Sequence, residues 1–369
     1  MTDTADIVII GAGVIGCSSA YHLARGGAGR ILLLERDQVG SGSSSKSAAM
    51  LTLQFSKDRV LASLGRRAYR RYMAFEEEPG GPIDFRRTGW LTLVDESGVG
   101  RLRQRATMLQ SLGIDTLLLD PAQVAQRYPE LQLDDIALAA FGPDDGPLDP
   151  HLIMWGYLRA ARALGVTVRQ GVRACGLRLS GGRVTAVETD QGPIGCGAVV
   201  NAAGPWAAEV AGWTGFTLPL RNSQRTILVT RPTAAVPPGR PFVDDESLGW
   251  YFRRDVDGVL IGGGAVPSPR ASVPLNQDQV DHLVEAAVRR LPALAEAGLQ
   301  TAWTGVRPLS ADGRPFLGAQ PDVGGLWLNA AWGGVGIIMA PVAGELLADL
   351  LLGGPAAAQA APFDPARPI

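Results

Sequence analysis

Apolar residues along this 369-residue chain fall into short unbroken runs and into stretches at helical spacing, and their order predicts the elements. Ile7 to Ile10 is apolar without alternation, as expected of a strand covered on both faces of a parallel sheet. It leads through Gly11, Gly13 and Gly16 into an amphipathic helix, and then into a second apolar run that ends in Glu35. Leu61, Leu64, Ala68, Tyr72 and Phe75 give residues 57–78 a helical period, which Pro79-Gly80 terminates. Phe85 to Val94 reads as strand, 99–129 as helix again, and Asp144-Asp145-Gly146-Pro147 as turn chemistry. His151 to Leu164 predicts a helix, followed by a further parallel strand over Val166 to Val172. Residues 183–201 supply two more strands, the second running through Ala203, Gly204 and Trp206 into a helix. Short β-prone runs between Pro/Gly loops over 217–265 predict a largely antiparallel sheet. Asn276 is placed to cap a helix that ends near Arg290. Strand, glycine turn and helix recur from Leu326 through Gly333, Gly334 and Gly336 to Ile338. Glu345 and Asp349 share one face, which makes the final helix amphipathic. The Ala/Pro-rich tail from Gly353 reads as irregular surface.

The opening pattern carries chemistry. Gly11 permits a tight turn, Gly13 lets backbone approach a pyrophosphate, and Gly16 lets helix pack on strand. The free N–H groups of the following helix attract phosphate. Glu35 can accept hydrogen bonds from ribose hydroxyls, and its charge disfavours a 2′-phosphate. Taken alone, this dinucleotide signature leaves NAD and FAD both open. Small residues from Gly40 to Ala49 bring backbone and the hydroxyls of Ser43, Ser44 and Ser47 against a flat ligand, with Lys46 as one fixed charge.

Charge and cysteine content remove several classes. A formal net charge of −2 and a pI near 6.0 give no reason to invoke nucleic acid or an anionic membrane. Only Lys46 and Lys57 are lysines, so positive charge is almost all arginine. Cys17, Cys175 and Cys196 are scattered without CxxC spacing, which fits a reduced, cytoplasmic compartment and neither a metal site nor a disulfide framework. The pattern predicts no signal peptide and no membrane-spanning segment.

Five blocks in this order resemble the D-amino-acid oxidase superfamily of FAD enzymes, in particular its sarcosine oxidase beta subunit, glycine oxidase and bacterial D-amino-acid dehydrogenase branch. They are the N-terminal GxGxxG with Glu35, GSGSSSKSAA, VVNAAGPWA, GVRPLSADGRPFLG and AAWGGVGI. The resemblance implies an α/β fold, α+β taken as a whole. A discontinuous Rossmann-like FAD domain would use residues 1–80, 150–215 and 300–369. A substrate domain on a mainly antiparallel sheet would use 81–149 and 216–299. By the same resemblance Gly11, Gly13 and Gly16 face the pyrophosphate, and Glu35, with Arg36 beside it, the adenosine ribose. Ser43, Ser44, Lys46 and Ser47 meet the phosphates and flavin, and the Val172 backbone the adenine. Ala203, Gly204 and Trp206 are further cofactor contacts, and Gly333, Gly334, Gly336 and Ile337 approach the pyrimidine edge of the flavin. Arg307 matches an arginine that pairs with the substrate carboxylate, and Tyr251 and Arg225 are its helpers. Asp312-Gly313 is a turn pair and not a catalytic one.

Departures from the family pattern matter. Relatives with covalent flavin use a histidine after the acidic residue or a cysteine near the Arg307 block. Lys46-Ser47 and Gly305-Val306 stand there instead, so noncovalent FAD is expected. No lysine follows Lys57 to activate oxygen in the substrate sheet, which leaves oxygen or another electron acceptor open, with Lys46 as the remaining candidate. The expected reaction is oxidation of the C–N bond of a small D-amino acid, or of an N-alkyl glycine or proline-like amine. Hydride would pass from the alpha carbon to flavin N5, followed by imine hydrolysis, with His22, His151 and His282 structural. Two alternatives are a flavoprotein subunit of a hetero-oligomer that passes electrons to a partner, and an NAD-dependent dehydrogenase. Homo- or hetero-oligomeric assembly is left open.

Overall fold

Ile7 and Ile9 enter one apolar core and Val8 and Ile10 enter another, so the opening strand is buried on both sides, as its unbroken apolar run requires. The computed structural model describes residues 3–56, 58–268 and 270–369; Lys57, at the start of the predicted 57–78 helix, lies outside them. Strand Ile7–Ile10 lies inside a six-stranded sheet in the order Phe316–Ala319, Leu326–Ala330, Ala198–Asn201, Ile7–Ile10, Ile31–Glu35, Thr167–Gln170. Every pairing is parallel except that of Phe316–Ala319. The chain leaves Ile7–Ile10 toward Ile31–Glu35 on one side and later returns as Ala198–Asn201 on the other. This reversal opens a crevice beyond the carboxyl ends of the strands. Helices Val14–Arg25, Pro150–Ala163 and Gly336–Leu351 cover one face. The other face meets a smaller sheet of Asp3–Thr4, Ile194–Gly195, Arg183–Thr189 and Ala174–Ser180.

The second large sheet has eight strands, in the order Leu299–Ser310, Leu220–Thr230, Gly258–Ser268, Trp250–Asp255, Phe242–Asp245, Trp90–Val94, Leu138–Gly142, Leu117–Leu119. It is antiparallel throughout except where Phe242–Asp245 runs parallel to Trp90–Val94. Helix Gln277–Arg290, capped by Asn276 Oδ1 on the Asp278 N–H, packs on one face. The opposite face turns toward the crevice of the first sheet.

Four expectations change. Strand Leu299–Ser310 is bonded along its length to Leu220–Thr230, so the nucleotide-side sheet resumes with Phe316 and not at residue 300. The stretch 99–129 is two helices, Val99–Ser111 and Pro121–Arg127, separated by strand Leu117–Leu119; Gly113 breaks the first at φ +68, and Asp120 and Gln123 form a capping box on the second. The final helix is not amphipathic but buried on nearly all sides between Val14–Arg25 and Arg59–Met73, with Glu345 held by Arg67 and Arg71. Pro341 within it has no N–H for the Ile337 carbonyl, and the buried Tyr72 hydroxyl donates to that carbonyl instead. The tail is docked: Ala356, Ala360 and Phe363 are buried in the main core, and the Arg367 guanidinium lies over the Phe316 ring.

Candidate functional site

The turn after the opening strand is shaped by what cannot fit there. Gly11 has φ +102, and a Cβ on it would stand 2.6 Å from the Ala202 carbonyl oxygen. A Cβ on Gly16 would lie 1.8 Å from the Gly11 oxygen, so Gly16 lets the first helix sit on the turn and does not itself line the cavity. Gly13 caps helix Val14–Arg25 without any side-chain bond, and the Val14 N–H is met by Ser44 Oγ at 3.0 Å. The Gly/Ser loop thus returns over the positive end of this helix. Ser43 Oγ donates to the Val306 oxygen at 2.5 Å, and Ser47 bridges the Ser44 oxygen and the Ala49 N–H. Lys46 is exposed, and its carbonyl packs against Gly305, where a Cβ would approach to 3.0 Å. Ala49 closes the loop at φ +53, a left-handed conformation that costs an alanine about 1 kcal/mol.

At the far end of the crevice, Glu35 is oriented by the N–H groups of Ala12 (2.9 Å) and Asp37 (3.1 Å). The Val172 N–H donates to the Glu35 carbonyl, which fixes the adjacent backbone. Arg36 pairs with Asp37 and lies 3.8 Å over the Trp206 ring. Ala203 and Gly204 form the turn after Asn201. Across the crevice, Ala331 (φ +60) and Gly333 (φ +55) bend the chain into helix Gly336–Leu351, whose N-terminus has no side-chain cap. Buried Asn329 ties that bend down, donating to Ser19 Oγ and the Ala343 oxygen and accepting from Trp332 Nε1.

The eight-stranded sheet supplies the remaining wall. Ser223 faces Arg307, Arg225 faces Gly305, and Ile227, Gly262 and Tyr251 follow in register on neighbouring strands. Tyr251 lies flat on Gly262, where a Cβ would fall 2.3 Å from the ring. Trp90 and Phe242 stack at 4.0 Å and Phe242 and Tyr251 at 5.2 Å, which makes a continuous aromatic surface. The buried Tyr251 hydroxyl meets no hydrogen-bond partner among the described residues, and burial raises its pKa against the opposing pull of Arg307 and Arg225. Arg225 is lowered to about 10, first by burial and then by the charge of Arg307.

One cavity of about 670 Å³ joins these parts. Among the residues marked out by sequence, Gly11, Gly13, Glu35, Arg36, Ser43, Ser44, Lys46, Ser47, Val172, Ala203, Gly204 and Trp206 line it, as do Arg225, Tyr251, Arg307, Gly333, Gly334, Gly336 and Ile337. Sequence reasoning missed Met50, Phe55, Trp90 and Phe242, because apolar strand residues announce burial and not what they will face. A positively polarised helix end, an acid at a second strand tip and two arginines, Arg225 and Arg307, that meet no acid among the described residues compose the site of a dinucleotide-dependent oxidoreductase. The model of the DAO family of FAD dependent oxidoreductases matches residues 6–350, and the chain belongs to that family. This sets aside the NAD alternative, and the cradle fits FAD: side-chain-free backbone at Gly11 and Gly13, the N-terminus of Val14–Arg25 met only by Ser44, the uncapped N-terminus of Gly336–Leu351 and an oriented Glu35 all face the cavity.

Mitochondrial sarcosine dehydrogenase of Mus musculus is 29% identical over 370 residues, which cover 96% of this chain and 40% of that protein. Glycine oxidase from Geobacillus kaustophilus matches with TM-score 0.89 at 27% identity, over 100% of both chains. L-proline dehydrogenase from P. horikoshii shares the fold at TM-score 0.89 and 24% identity, over 99% of this chain and 98% of that one. The chain spans less than half the length of the mitochondrial dehydrogenases it matches.

Proposed function

We propose that the chain oxidises the C–N bond of a small amino acid or N-alkyl amino acid, with FAD held noncovalently. The observation that carries this reading is that Arg307, Arg225 and the Tyr251 hydroxyl, which has no partner among the described residues, face the same cavity as the Gly11–Gly13 cradle. FAD bound in that cavity supplies a two-electron acceptor. Gly11, Gly13, Ser43 and Ser44 would hold its phosphates, Glu35 its ribose, and Gly333, Gly334 and Gly336 the edge of its ring.

The chain's own part is to bind and orient. Arg307 presents a planar fork to a carboxylate, which a lysine would not reproduce. Tyr251, kept protonated by burial, donates a hydrogen bond to the same group. Trp90, Phe242 and Phe55 exclude water from the aromatic side of the cavity. A neutral amine taken from solution needs no side chain to remove its proton. Among the described residues no helix is long and apolar enough to cross a membrane, and Cys17, Cys175 and Cys196 are all free. A reducing cytoplasmic setting is part of the proposal.

The test is anaerobic bleaching of the bound flavin by sarcosine, glycine, proline and D-amino acids added singly. At least one is expected to bleach it, and failure of all of them overturns the reading. Reoxidation by oxygen or by a dye then assigns the acceptor. Acid precipitation is expected to leave FAD in the supernatant, whereas a yellow pellet would mean a covalent bond.

A further inference from the structure

Arg225 and Arg307 are diagonal neighbours on adjacent strands of one sheet face, a separation of about 7–8 Å or less between Cβ atoms. Both line the cavity. Several well-covered guanidiniums of this protein have acids: Arg105 has Glu246, Arg240 has Glu130, Arg253 has Asp255, Arg290 has Asp245 and Arg367 has Asp312, whereas Arg66 and Arg254 donate to the carbonyls of Leu112 and Val236. Arg225 donates through Nη1 to Ser223 Oγ (2.8 Å) and to the Gln224 oxygen (3.0 Å), which leaves Nε and Nη2 directed at no partner among the described residues. Of the acids lining the same cavity, Asp245 is taken by Arg290, Glu246 by Arg105 and Glu209 by Arg173, Glu35 accepts from the Ala12 and Asp37 N–H groups, and Asp244 is not free. A carboxylate can bridge two guanidiniums, as Glu345 bridges Arg67 and Arg71, but a monocarboxylate brings one negative charge against two positive ones and leaves one partly buried charge uncompensated.

We infer that the substrate is an amino or imino dicarboxylic acid, whose first carboxylate lies on Arg307 and whose second lies on Arg225. The inference rests on the amine-oxidation reading and narrows it. An anion between the two guanidiniums also relieves the repulsion that, with burial, draws Arg225 down to about 10.

The test has a binding arm and a turnover arm. In the first, malonate and succinate are titrated against acetate and propionate on the FAD-loaded protein, followed by the flavin difference spectrum and by Tm. Dicarboxylates are expected to half-saturate at concentrations lower by about tenfold to a hundredfold, the range of one charge-assisted contact. Arg225→Met is expected to abolish that preference, weakening malonate and succinate more than acetate and propionate, while the flavin stays bound. Equal binding of mono- and dicarboxylates by the unmodified protein overturns the inference without any variant. So does an Arg225→Met protein that sheds flavin or weakens both ligand classes alike.

In the second arm, iminodiacetate and D-aspartate are compared with sarcosine and D-alanine as bleaching agents. Bleaching by sarcosine as readily as by iminodiacetate defeats the second carboxylate alone. Preferential dicarboxylate binding with no bleaching by any amine defeats amine oxidation and leaves the two-anion site standing.

Discussion

Arg307 runs across the first turn before the last long helix: a Cβ on Gly334 would stand 3.1 Å from its Nη1. The side chain is therefore aimed by a glycine it does not touch in sequence. Arg307→Ala is expected to raise the amine concentration for half-bleaching by about a hundredfold, the loss of a charge-assisted pair, while flavin absorbance stays unchanged. Flavin loss would instead assign the residue to the cofactor. Asp145 is a different kind of residue. It is fully buried, and burial lifts its carboxyl to about 7 against hydrogen bonds from the Thr52 hydroxyl (2.6 Å) and the Leu53 N–H (3.2 Å). The folded state holds this proton more tightly than the unfolded chain. Its stabilisation is accordingly full below the ordinary carboxyl range and is lost as pH rises through about 7. Asp145→Asn, measured by thermal melting, is expected to flatten the fall in Tm between pH 5 and pH 8. Arg307 was legible because its block is distinctive. Asp145 read as half of a turn pair, since nothing near it in sequence shows that a loop from residue 52 will bury it.

Among elements, those governed by local rules were visible in the sequence: the unbroken strand Ile7–Ile10, the Asn276 cap and the glycine turns. Those governed by distant partners were not. Leu117–Leu119 pairs with Leu138–Gly142 at a sheet edge, yet its three leucines also suit the helical pattern around them. The last long helix carries Glu345, which suggested a solvent face; two arginines of Arg59–Met73 neutralise it within the packing. Gly262 gave no sign of its role as the floor under Tyr251. Gly262→Ala is expected to cost about 1–3 kcal/mol by overpacking, and to weaken carboxylate binding while leaving flavin bound. Chemical denaturation and ligand titration of the same preparation check both. Unchanged carboxylate affinity would show that Tyr251 is not part of the anion site.

Across the whole molecule, the parts of the site come from segments far apart in the chain, and the tail that read as irregular surface closes the core beneath them. Phe363 is fully buried against the cluster that contains Trp332 and the last long helix. Phe363→Ala is expected to cost about 3–5 kcal/mol, read as a lower denaturation midpoint of the FAD-saturated protein. A shift of under about 1 kcal/mol would mean that the tail only rests on the surface.

Strand Leu299–Ser310 belongs to the eight-stranded sheet, receives the Ser43 hydroxyl at Val306 and continues within a few residues into Phe316–Ala319 of the other sheet. On the proposed reading, a carboxylate on Arg307 and a cofactor against Ser43 would both bear on a single length of backbone. Tenancy of one seat that tightened the other would do so by an equal factor in both directions, and positive coupling is the expected outcome. Protein washed in a carboxylate that fits Arg307 would hold its flavin through dialysis that strips the same protein in plain buffer.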